Sequence, residues 1–366
     1  MPQTLRTFVV LGALFALIAP LAPARDAGPA SFGTVLTRVA TPTRVAARDG
    51  TLAFGAYDTA AQSITLMRRL PDGTIAPVGV PPIRARPALS VEPGRAAAVP
   101  NFELTLGRDA SNGLTAIYRR CSGPIDETCN LARADLAAGA EHVIPMTQGA
   151  LRGAIAGRWI AFVRRGTGGA DHLYLIGGTR RPARVAEPDL ARDLSPGNRV
   201  DRSTVRIAAV DLRARSDGPP DVAYVVDFQT APELAESQLW LSRAGQAPRR
   251  IARVGTGGAS SGFREFLQPR LYVDSVVVYK QGRDQVNAVF RYTLRGRTLG
   301  AGRVGFASTD GGEITGGQWD RGHFWYATNP YQGNGCSGFQ PQPAEATCPV
   351  IDSGPITLAP PKPPHH

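Results

Sequence analysis

Apolar and polar positions alternate along most of the chain, in short runs broken by Gly, Pro, Asp and Asn. A period of two puts successive side chains on opposite faces of a strand, so these runs predict β-structure. The clearest set spans residues 44–78, where RVAARDG, TLAFGAYD, SITLMRRLPDG and TIAPV follow one another. Asp49-Gly50 and Asp72-Gly73 supply the two-residue turns that hairpins need, because both residue types tolerate a left-handed backbone. The set therefore reads as a four-stranded antiparallel unit.

The unit recurs six times. Its second strands are residues 52–57, 114–120, 159–165, 222–228, 276–281 and 323–328, centred on Phe54, Ile117, Phe162, Tyr224, Val278 and Trp325. Third strands are predicted at 64–69, 130–136, 172–178, 238–243, 288–294 and 355–360 (PITLAP). Fourth strands (TIAPV, EHVIP, PARVAEP, RRIARVG and LGAGRVG) follow only the first five units. Residues 33–42 (GTVLTRVATP) have fourth-strand character but precede the first unit. The expectation is an all-β, six-bladed β-propeller, closed by this N-terminal strand pairing beside PITLAP in the last blade. Closure removes the exposed edges an open array would carry. A pair of β-sandwiches fits strands of this length but gives the displaced strand no role. Over residues 33–360 the pattern resembles TolB-like propeller domains. The resemblance implies a fold and leaves function to the loops.

If strands a to d run outward in each blade, the a–b and c–d turns share one face. The b–c loops and d–a crossovers share the other. Most of the former are tight, as at Asp49-Gly50, Asp72-Gly73 and Gly157-Arg158, with residues 213–221 an exception. The insertions gather on the opposite face: crossovers at 79–101, 187–203 and 255–268, and b–c loops at 122–128, 229–236 and 329–354. Long loops on one side of a repeat protein predict its binding face.

The N-terminus changes the picture of compartment. Arg6 precedes an apolar run of eleven residues, 8–18 (FVVLGALFALI), and Ala22 and Ala24 offer small side chains before a cut at Arg25. That is a secretory signal pattern. As a helix the run rises about 16 Å, half a bilayer core, so it is too short to span. The expected domains are a signal peptide (1–24), a short linker (25–32), one propeller domain (33–358) and a disordered Pro-rich tail (359–366). An exported chain favours disulfides, and the simplest pairing is Cys121 with Cys129 and Cys336 with Cys348. Neither pair has the ligand spacing of a zinc site, so no metal is expected.

Composition adds limits. Hydrophobic residues are 43% and charged residues 19%, which excludes a disordered chain. The 41 Gly and 31 Pro require frequent turns and few long helices. The net charge of +11 rests almost wholly on Arg, since Lys280 and Lys362 are the only lysines. The arginines are scattered and form no nucleic-acid motif, so no nucleic-acid partner is expected.

Candidate chemistry is sparse. Residues 258–262 (GASSG) match a nucleophile-elbow pattern, with Asp274, Asp310, Asp320 and His323 downstream. The pattern needs a supporting helix, and Pro269 leaves no room for one. Neither 166–169 nor 255–258 ends as a phosphate loop does. Asp211, Asp274, Asp310, Glu313 and Asp320 lie near inner strands, where two converging carboxylates would serve glycan hydrolysis or elimination. The richest cluster is residues 319–326, with 331–339 beyond it. Trp319, Asp320, His323, Tyr331 and Phe339 are its binding candidates, expected near the long-loop face. No catalytic residue and no cofactor is assigned. The reading is an exported monomeric propeller without a membrane span, binding an envelope protein, peptide or glycan. The alternative is an extracytoplasmic propeller enzyme with an axial carboxylate site.

Overall fold

The computed structural model describes residues 33–40, 43–58, 60–84, 102–123, 128–178, 181–192, 194, 197–231, 234–255, 264–282, 288–304, 313–329 and 348–360. Within them the chain is all-β apart from short 3-10 turns, as at Arg202–Thr204. β1 (Thr34–Val39) comes first. β2 (Val45–Arg48), β3 (Thr51–Asp58), β4 (Ser63–Arg69) and β5 (Ile75–Pro77) form an antiparallel sheet in that order, with β6 (Ile83–Arg84) against β4. β7 (Leu104–Asp109), β8 (Leu114–Cys121), β9 (Cys129–Asp135) and β10 (Glu141–Val143) repeat the arrangement. So do β11 (Ala150–Gly157), β12 (Trp159–Arg165), β13 (Asp171–Gly177) and β14 (Ala183–Arg184). These two units merge into one eight-stranded sheet through a short parallel contact of β7 with β11.

Two further four-stranded sheets follow. One holds β15 (Arg206–Arg213), β16 (Asp221–Ala231), β17 (Leu234–Ser242) and β18 (Arg249–Gly255). The other holds β19 (Arg264–Leu271), β20 (Ser275–Gly282), β21 (Ala288–Thr293) and β22 (Thr298–Arg303). The last sheet is β23 (Glu313–Asp320), β24 (His323–Asn329), β25 (Cys348–Pro355) and then β1. The N-terminal strand thus lies antiparallel to β25, with Val39 opposite Cys348 and Thr34 opposite Asp352.

One expectation is corrected. The third strand of the last unit is Cys348–Pro355, and PITLAP begins where that strand ends. Residues 356–359 instead lie along the neighbouring sheet: Ala359 and Ala301 of β22 exchange backbone hydrogen bonds at 3.0 and 2.9 Å. PITLAP alternates like a strand, but β22 needs a partner at its outer edge, and β1 already occupies the outer edge of β25. Ala359 is therefore held to a sheet rather than in a free tail.

The cores lie between successive sheets. Ala53, Leu66 and Phe102 pack with Tyr118 and Ala132 between the first and second units. Val226, Phe228 and Trp240 pack with Trp159 and Val163 between the third and fourth. Val45, Leu52 and Phe54 of the first unit pack with Trp325, Val350 and Val39 of the last sheet. All six predicted second-strand centres are buried, each large apolar one stabilising by about 2 kcal/mol. The innermost strands touch in sequence, β2 to β7, β11, β15, β19 and β23, and β23 touches β2.

Candidate functional site

The innermost strands bring polar side chains together along their shared axis. Near the crossover end, Glu103 sits between Arg44 (3.0 Å) and Arg152 (3.3 Å). Burial pulls the Arg152 guanidinium below its ordinary value, and Glu103 opposes the shift. Burial also pushes the nearby Asp227 carboxyl up to about 6, against a hydrogen bond from Ser237 and the charges of Arg152 and Arg44. Arg44, Glu103, Arg152, Gln268 and Gln318 line a cavity of only about 10 Å³, which is room for about one water. The axis is therefore filled here.

At the turn end, arginines and aspartates from different sheets interlock. Arg48 reaches Asp211 (3.4 Å) and donates to the Leu106 carbonyl (3.1 Å). Asp211 also accepts the Leu271 N–H at 2.7 Å. Arg270 faces Asp320 at 3.7 Å, and Asp320 accepts the Gly50 N–H at 2.6 Å. The turn chemistry explains this approach. Asp49 and Gly50 have φ of 54° and 84°, as do Arg321 and Gly322 at 49° and 89°, so both turns fold back tightly. That brings the Gly50 amide to the end of β23.

Beside these contacts opens a cavity of about 440 Å³, within the range of small-molecule sites. Asp49, Arg270, Tyr272, Arg291, Trp319, Asp320 and Arg321 line it, with Val277, Gly322 and Leu358. Arg270 lines it and is only 4% exposed. It follows Pro269, which cannot donate to the ladder, and the register of β19 against β20 slips between Leu267 and Arg270. Its Nε and Nη1 make no hydrogen bond. Burial holds the Tyr272 phenol above its ordinary value, Arg270 opposing and Asp320 adding to the shift. At the β19–β20 turn, Val273 is 78% exposed.

Of the five predicted binding residues, Trp319 and Asp320 line this cavity. His323 begins β24 just beyond the turn, where its Nδ1 lies 2.8 Å from Asp352; it is not among the lining residues. Tyr331 and Phe339 lie outside the described residues. The expectation that the cluster shares the long-loop face is corrected: β23 ends and β24 begins at the tight turn, so Asp320 and His323 sit at the opposite end of the sheet from the connection that follows β24. The sequence reading missed Arg270, Tyr272, Arg291 and Arg321. A basic residue flanked by Pro269 and Leu271 in an inner strand was the available signal. Among the other acids considered, Asp211 is paired with Arg48, and the exposed Asp274 lies 3.3 Å from Arg291. Residues 258–262, the nucleophile-elbow match, and Asp310 lie outside the described residues.

Cys121 and Cys129 are joined by a disulfide and lie directly opposite in the β8–β9 ladder. Cys348 is also disulfide-bonded, while Cys336 lies outside the described residues. No group of metal-ligating side chains occurs among the described residues, and no described helix is long and apolar enough to cross a membrane.

No protein-family model matches the chain, and no curated protein matches it. Among solved structures, the lectin of the fungus Aleuria aurantia, described as a six-bladed β-propeller with a novel fucose recognition mode, aligns at a TM-score of 0.51. The identity is 10%, covering 87% of this chain and 94% of that one. The polysaccharide lyase Uly1 aligns at 0.39 with 12% identity, over 85% of this chain and 76% of that one. The first likeness establishes a propeller fold. The second is too distant to carry an argument.

Proposed function

We propose that the chain is an exported six-bladed β-propeller that binds carbohydrate without transforming it, through the cavity on its turn face. The pairing of β1 with β25 and the packing of the first unit against the last sheet support closure of the ring. The likeness to TolB-like domains is kept at the level of blade architecture. The apolar run at 8–18 and the Cys121–Cys129 bridge support an oxidising, extracytoplasmic setting, where an envelope glycan is the favoured partner over a protein or peptide.

The observation that carries the reading is the composition of the 440 Å³ cavity. Tyr272, half-buried, offers flat apolar surface to a sugar ring in front of the core residue Trp319, which is 8% exposed, while arginines and aspartates offer donors and acceptors to the sugar hydroxyls. The lectin that shares the fold lends weight to a glycan as ligand. The acids argue against hydrolysis. Glu103, Asp211 and Asp320 each face an arginine rather than a second carboxylate, and hydrolysis needs two carboxyl groups flanking one bond.

A glycan array probed with the folded chain, followed by calorimetry on the strongest hit, tests the proposal. The wild type is expected to bind at least one glycan class, and Tyr272→Ala to lose at least tenfold in affinity. Absence of any glycan binding, or a Tyr272→Ala variant that binds as well as the wild type, overturns it.

A further inference from the structure

The cavity contains more hydrogen-bond donors than its own residues use. Asp320 is committed to the Gly50 amide at 2.6 Å, and Asp49 to Arg108 Nε at 2.7 Å. Arg291 faces Asp274 and donates to Ser275 Oγ at 3.0 Å. Arg321 has no acidic partner among the described residues. Arg270 is the decisive group. Its guanidinium lines the cavity at 4% exposure; Nε and Nη1 are sealed behind it without a hydrogen bond, and Nη2, the edge left toward the cavity, has only the 3.7 Å contact with Asp320. Several described arginines leave a sealed Nε without a hydrogen bond, and Arg270 differs in leaving Nη1 unbonded as well, so its charge is the least satisfied of them. Three arginines against two aspartates also leave the lining with net positive charge.

From this we infer that the ligand is an acidic sugar, whose ring carboxylate accepts hydrogen bonds from the cavity edge of the Arg270 guanidinium while its ring lies against Tyr272. The inference rests on the carbohydrate reading above and narrows it to uronic-acid-containing glycans. A carboxylate matches a guanidinium in charge and in planar geometry, and charge-assisted hydrogen bonds in a desolvated pocket are stronger than those to neutral hydroxyls. A neutral sugar would leave the Arg270 charge with only Asp320 at 3.7 Å and the Tyr272 ring at 6.0 Å.

Calorimetry with three probes on the full chain tests this: a uronic-acid oligosaccharide, its methyl ester, and a sulfated neutral oligosaccharide. The uronate is expected to bind at least tenfold more tightly than either of the others. The ester comparison needs no protein variant, so it is independent of folding. Arg270→Lys, which keeps a positive charge against Asp320, is expected to lose at least tenfold for the uronate and little for the ester. Equal binding of the ester or the sulfated sugar, or an Arg270→Lys variant with unchanged uronate affinity, overturns the acidic-sugar inference while leaving carbohydrate binding intact. Binding of none of the three, with a silent glycan array, removes both.

Discussion

Single residues decide whether the turn end of the axis holds together. Asp320 satisfies the Gly50 amide and is the acid facing Arg270. Asp320→Ala is expected to cost about 3 kcal/mol in urea unfolding, because it strands a buried guanidinium and an amide at once. Asp227 acts in the other direction. Its Oδ1 is sealed from solvent without a hydrogen bond, and its carboxyl is raised to about 6, chiefly by burial. The folded state therefore binds this proton more tightly than the unfolded chain, whose carboxyl titrates near 4. Its favourable contribution is complete below about pH 4 and is lost as pH rises through about 6. Asp227→Asn is expected to stabilise the chain by about 2 kcal/mol at pH 7.5, with the gain vanishing by pH 4. Thermal melts across that pH range check the sign.

The elements show what alternation reveals and what it hides. The six second strands were legible because each is buried on both faces at its centre, from Phe54 to Trp325. PITLAP was misassigned because its alternation is indistinguishable from that of a paired strand. Only the neighbours available, β22 at one edge and β1 at another, separate it from Cys348–Pro355. The disulfide was readable from spacing, and it ties β8 to β9 at the end of their ladder. Replacing both Cys121 and Cys129 with Ser is expected to cost about 2–3 kcal/mol, through the loop entropy returned to the unfolded chain. Chemical denaturation of the double variant measures it. Trp319 and Asp320 were visible as an aromatic–acid cluster. Their cavity partners were not, since Tyr272 and Arg270 come from another sheet.

At the scale of the whole molecule, the strand far from its sequence neighbours has the largest consequence. β1 covers β25, and Val39 contributes to the core shared by the first and last units. Deleting residues 33–40 is expected to expose the β25 edge and to lower stability by at least about 3 kcal/mol. Size-exclusion chromatography should show the truncated chain as dimers or larger species, while the intact domain elutes as a monomer. A truncated chain that stays monomeric with unchanged melting would show that β1 is dispensable.

The sequence by itself determined the strand content, the recurrence of antiparallel units, the tight turns at Asp49-Gly50 and Asp72-Gly73, and the Cys121–Cys129 bridge. All of these depend on residues close together in the chain, where periodicity and turn preference act. The tertiary structure alone decided that Asp320 meets Gly50 and that Arg270 lies buried with donors unspent. It also placed the open cavity on the side of the short turns. Those outcomes depend on how separate sheets pack around a common axis, and no local pattern encodes the distance between residues 270 positions apart in the chain.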